Sequence, residues 1–91
     1  MSYSAVMQLA KEQPDLLPLV QLAHSIAVKY DNHFSGSSVL AKAPGIAPNL
    51  LALSLREIVE KTGEAKQGDR AYYRLVDPPG VERALRELGL L

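Results

Sequence analysis

No cysteine occurs in the 91 residues, which excludes disulfide frameworks and thiolate metal sites together and leaves no trace of an oxidising compartment. No apolar run reaches the roughly twenty residues that a membrane-crossing helix needs, although 47% of the chain is hydrophobic. The opening MSYSAVMQLAKEQP has neither the basic start nor the long apolar centre of a secretory signal, so no membrane is predicted and the cytoplasm is the predicted location. Charge of either sign is not in excess: 10 basic and 10 acidic side chains give a formal net charge of zero and a pI near 6.7. A chain that neutralises many phosphates commonly carries a basic excess or a basic face, so any such face here has to be local. Lys61, Lys66, Arg70 and Arg74 cluster and are its candidates. The chain shows no nucleophile paired with a base, carboxylate dyad, metal-ligand set or phosphate-cradling loop. An enzyme is therefore not predicted, nor a cofactor, nor a metal; Gly68 and Gly80 read as turn residues.

What is present is one domain's worth of alternating apolar stripes and breakers. Tyr3, Val6, Met7 and Ala10 share a helical face, placing a helix within residues 1–13. A helix this short is marginal alone and has to dock on its own domain or on a second subunit, which makes it a candidate for dimerisation. Pro14 opens the next helix. From Asp15 to Tyr30, Leu16, Val20, Ala23, Ala27 and Tyr30 form one face, and Leu17, Leu19, Leu22 and Ile26 widen it enough to predict burial on two sides. His24 sits among these apolar neighbours and reads as a structural histidine bonded to a carbonyl or to water. His33 beside Asp31 is an equally weak signal.

Asp31 and Asn32 end that helix. Ser35 then reads as an N-cap, with Phe34 and Val39 as the hydrophobic staple across it, and Pro44 and Gly45 stop the short helix that follows. A longer helix is predicted from about Pro48 to Thr62. At 100° per residue Leu51, Leu55, Ile58 and Val59 fall on its inner face and Asn49, Leu53, Arg56 and Glu60 on its outer face. Gly63 closes it. Glu64 to Lys66 and Ala71 to Val76 can pair as a hairpin about Gln67-Gly68-Asp69-Arg70, with Tyr73 and Leu75 inward and Tyr72 and Arg74 outward. Asp77 caps a last helix over 79–89, where Val81, Ala84, Leu85 and Leu88 recur at helical spacing and Gly89 marks the end.

Leu40-Ala41, Gly45-Ile46, Leu51 and Leu55, followed by this hairpin, resemble the winged helix-turn-helix family of bacterial transcription regulators, MarR-like repressors among them. The resemblance covers roughly Leu16 to Val76. It implies a mainly α fold with a small β-hairpin and helices flanking at both termini: helix-turn-helix over 35–62 and wing over 64–76 within a single domain, 1–91. Pro44 departs from the apolar residue usual at the end of the first helix of the motif.

The resemblance also implies a sequence-specific DNA-binding transcriptional regulator acting as a homodimer on double-stranded DNA. Asn49 and Arg56 would contact bases, Ser37, Ser38, Lys42 and Lys61 phosphates, and Lys66, Arg70 and Arg74 would lay the wing on the backbone. The residues admit a second function. Leu50, Ala52 and Leu53 would form an apolar spot on the exposed face of residues 49–60, where a protein partner docks, and the fold would serve as an interaction module.

Overall fold

The computed structural model describes residues 1–35, 50–64 and 71–91. Among these residues the chain forms four α-helices and a three-stranded antiparallel sheet: α1 (Ser2–Glu12), a 3-10 turn (Pro14–Leu16), α2 (Leu17–Lys29), β1 (Phe34–Ser35), α3 (Leu50–Leu55), β2 (Val59–Glu64), β3 (Ala71–Leu75) and α4 (Pro78–Glu87). It is a small α/β domain with a helical half and a sheet half.

The helical half follows from periodicity and capping. On α1 the fully buried positions are Ser2, Val6 and Leu9, so the inward face is turned slightly from the predicted stripe, leaving Tyr3, Met7 and Ala10 half-buried at its margins. That face is covered by α4 and the 3-10 turn, so the apolar stripe is spent inside the domain. The close pass of α1 over α4 is set at Gly80, where a Cβ would lie 3.1 Å from the Tyr3 backbone nitrogen and would collide with the Asp77 carboxylate. Asp77 caps α4 as predicted, accepting from the Gly80 amide at 3.2 Å. Val81, Ala84 and Leu85 are buried, while Glu82, Arg83, Arg86 and Glu87 face solvent with Arg83–Glu87 and Arg86–Glu82 pairs one turn apart.

On α2 the buried set is Leu19, Val20, Ala23, His24, Ile26 and Ala27. Tyr30, predicted on the buried face, is 55% exposed because the helix ends at Lys29. Three helix ends use one device. The amide two residues beyond the helix's capping residue bonds back to the carbonyl three residues inside it, with the residue between at positive φ. In α2 Asn32 bonds to Ala27 with Asp31 at φ 56°; in α3 Ile58 bonds to Leu53 with Glu57 at 59°; in α4 Leu90 bonds to Leu85 with Gly89 at 73°. Only the last uses glycine; Gly89 and Asp31-Asn32 stand where the sequence marks an end, whereas Gly63, predicted to close the middle helix, lies within β2.

The sheet half differs from expectation in three ways. Phe34 and Ser35 form β1, pairing with Tyr73 and Tyr72, so Ser35 is a strand residue and not a helix cap; Val39, its supposed staple partner, lies outside the described residues. The helix predicted to run to Thr62 stops at Leu55, and β2 starts at Val59, five residues before the predicted wing strand. Ile58-Val59 explains the difference: both residues suit a helix period, yet β-branched side chains pack better on a pleated sheet, and both are buried there. The ladder runs from Val59 opposite Leu75 to Glu64 opposite Ala71, with a bulge between Lys61 and Gly63 that leaves Thr62 as the extra residue. The resulting strand order is β1-β3-β2.

Asn32 joins the halves. Its side-chain amide donates to the Leu75 carbonyl at 3.1 Å, and its Oδ1 accepts from the Leu75 amide at 2.8 Å. One side chain thus does for Leu75 what a neighbouring strand would do. Its own φ is 57°, a conformation that asparagine tolerates better than most residues.

Candidate functional site

The candidate site is built on α3, its exit turn and the hairpin. With six residues, α3 can bury only a narrow face. Leu50 and Leu53, three apart, take it: Leu50 is 6% and Leu53 0% exposed, whereas Leu51 is 69% and Leu55 78% exposed. The predicted face is therefore reversed. Leu51 and Leu55 do not plug the core, and Leu50 and Leu53 offer no apolar spot to a partner; Ala52 is half-buried against the core. The reversal follows from the early stop. Leu51, Leu55 and Ile58 align only on a helix that continues, and once Glu57 breaks it Ile58 and Val59 reach the core from the sheet side.

Arg56 was the residue with the clearest chemistry for reading a base. Its guanidinium instead meets Glu12 Oε1 at 2.8 Å and Gln13 Oε1 at 3.0 Å, and its side chain is only 23% exposed. The planar fork that would have gripped guanine is spent on the end of α1. Gln8 donates to the other carboxylate oxygen at 3.0 Å. Together the Gln8 hydrogen bond and Arg56 hold the Glu12 carboxyl below its ordinary range. Arg74 on β3 pairs with Glu60 directly across the ladder, both side chains about half exposed. Such a pair is worth little to stability, yet it occupies a cation predicted for the wing. Lys61 is exposed on β2. Asn49, Ser37, Ser38, Lys42, Lys66 and Arg70 lie outside the described residues. The structure therefore brings together Arg56, Lys61 and Arg74 on one turn and hairpin, where Arg56 pairs with Glu12 and Arg74 with Glu60.

An open groove of about 550 Å³ lies between α3 and the sheet. Leu51, Val59, Tyr73 and Val76 give it apolar walls, and Glu57, Glu60 and Lys61 line it with charge. The sequence pointed to the groove's residues but not to the groove, since two of its three walls, α3 and β2, have other bounds than those predicted. Across the sheet His33 stacks on Tyr72 with ring centroids 4.8 Å apart, and Phe34 on Tyr73 at 6.2 Å. This uses the outward and inward sides of β3 in the order predicted for Tyr72 and Tyr73.

Among the described residues no cluster of three histidine, cysteine, aspartate or glutamate side chains could hold a metal ion, and no helix is long and apolar enough to cross a membrane. No protein-family model, curated protein or solved structure matches the chain.

Proposed function

We propose that this domain is a winged-helix interaction module, and that its partner is a protein segment seating apolar side chains on Leu51 and Leu55 beside the groove. The winged-helix part of the reading is supported by a helix leading into a hairpin whose outer neighbour is the strand preceding that helix, order β1-β3-β2. The partner part rests on one observation: α3 turns Leu51 and Leu55 to solvent, with Arg56, the adjacent cation, engaged by Glu12. Two leucines one turn apart are an inexpensive anchor for a facing apolar segment. On a DNA-reading helix they would meet only thymine methyls, with Glu57 repelling the backbone.

The test is affinity capture with the wild type and with Leu51→Lys/Leu55→Lys, a double variant that leaves the core untouched. A protein held by the wild type and lost by the variant carries the reading; identical sets retained by both sink it.

The second reading, double-stranded DNA binding by a transcription regulator, is favoured by Lys61 exposed on β2, five and nine residues before Lys66 and Arg70 in the sequence. It predicts a mobility shift with pooled duplexes that weakens steeply as salt rises. Absence of any complex at low salt removes it.

A further inference from the structure

The solvent side of α2 and its entry turn carries Asp15, Pro18, Leu22, Ser25 and Lys29, separated by three, four, three and four residues. That spacing makes a single stripe along a helix, about 21 Å from end to end. Leu22 at the centre is half-buried and the other four are exposed. The middle of the stripe forms one wall of an open groove of about 540 Å³, closed on the far side by Leu90 and Leu91 and holding no aspartate, glutamate, lysine or arginine. Val28 and Leu91 stand 70% and 60% exposed there. The opposite wall is fixed by Gln21, whose amide donates to the Leu90 carbonyl at 2.8 Å.

His24 adds a polar group to the groove. It is only 6% exposed, lines this groove, and has no hydrogen-bond partner among the described residues. Ser2 Oγ is the one fully buried side-chain polar atom without a partner among those residues, so the imidazole nitrogens of His24 are reached from the groove.

The charges at the stripe's ends decide what covers it. Asp15 makes no ion pair among the described residues, and Lys29 contacts only the Tyr30 ring, 5.9 Å from its centroid. They lie seven residues either side of Leu22. A second copy laid antiparallel about a two-fold axis through Leu22 sets each Lys29 beside Asp15 of the partner subunit, so the ion pair forms twice. Parallel docking would set Asp15 on Asp15 and Lys29 on Lys29. An uncharged centre is also what a self-facing surface requires, because a two-fold axis brings like groups together.

We propose that this stripe of α2 pairs antiparallel with its own copy to form a homodimer, closed at both ends by Lys29 and Asp15 of the partner subunit. The apolar stripe of α1 lies within the domain, so this dimer does not use the N-terminal helix. The stripe shares no residue with the Leu51 and Leu55 face, so the inference and the partner-docking reading stand or fall separately.

Sedimentation equilibrium from micromolar to millimolar protein tests it. The wild type should show a reversible monomer–dimer equilibrium. Ser25→Glu, at an exposed helical position, should be monomeric throughout, with an unchanged melting temperature at concentrations where the wild type is also monomeric. Lys29→Asp alone, which creates two repulsive pairs, should weaken the dimer roughly tenfold, and adding Asp15→Lys should restore it. A wild type that stays monomeric overturns the proposal. So does a dimer indifferent to Ser25→Glu, or a charge-swapped double variant as weak as Lys29→Asp alone.

Discussion

The helical half and the sheet half of this domain bury side chains equally well but are specified differently. In the helical half each element carries its own instructions: Pro at the start of α2 and α4, an aspartate cap on α4, glycine at its end, and apolar residues at helical spacing. In the sheet half the instructions are non-local. β1 is two residues long and exists because Tyr72 and Tyr73 pair with it; α3 is six residues long and is held by burial of Leu50 and Leu53. A segment without local signals takes whichever structure its neighbours make cheapest, and here a possible longer helix gave way to a strand.

The comparison is broken most directly at the leucines of α3. Leu53→Ala should cost about 2–5 kcal/mol, as much as Leu9→Ala in the helical half, because both side chains are fully buried. Leu51→Ala and Leu55→Ala should each cost under about 0.5 kcal/mol. Chemical denaturation of the four variants measures this. A costly Leu51→Ala with a silent Leu53→Ala would mean that α3 presents the opposite face.

Next comes the link between the halves. Asn32→Ala removes both hydrogen bonds to Leu75 and puts alanine at a positive φ, which should cost roughly 2–3 kcal/mol. If the halves are coupled only through this contact and the core, amide exchange in β3 should accelerate more than in α4. Equal acceleration would show one cooperative unit with no boundary between them.

Legibility in the sequence divides along the same boundary. Both ends of α4, the end of α2 and the inward residues Val81, Ala84 and Leu85 could be read directly, whereas Pro14, predicted to open α2, opens a 3-10 turn and α2 starts only at Leu17. The start of β2 could not be read, because Ile58 and Val59 satisfy a helix and a strand alike. Glu57 gave no warning either: a helix ends there through a left-handed residue, and the usual glycine is missing. The roles of Arg56 and Asn32 depend on partners 43 residues away, which no local pattern encodes. Arg56 therefore read as a surface cation when it is an anchor.

Glu57 allows that boundary to be sharpened by a gain. Its φ of 59° is strained for a side chain with a Cβ, so Glu57→Gly should stabilise by up to about 1 kcal/mol if the left-handed exit is real. Were α3 to continue as a helix, the same substitution would destabilise by about that amount. Thermal melting gives the sign, which is the deciding observation.

The smallest expected effects come from α1, which touches both halves with opposite ends. Glu12 faces the exit turn of α3, where Gln8 first and Arg56 second lower its carboxyl below the ordinary 4.5. A depressed carboxylate contributes stability above its unfolded value and loses it as pH falls through the folded value, so this contact weakens on acidification below about pH 4.5. Tyr3 faces α4, where its hydroxyl donates to Glu87, raising the phenol above the ordinary 10.0, with Arg83 stacked 4.4 Å from its ring centroid and opposing that rise. A raised phenol contributes stability below its unfolded value and loses it as pH climbs through the folded one, above about pH 10. Arg56→Gln should flatten only the acid limb of a melting-temperature profile and Tyr3→Phe only the alkaline limb. The Glu12 carboxylate and the Tyr3–Glu87 contact are open to solvent, so shifts of a degree or two suffice. A variant that flattened both limbs would mean that α1 moves as a rigid strut and that the two halves respond to it as one.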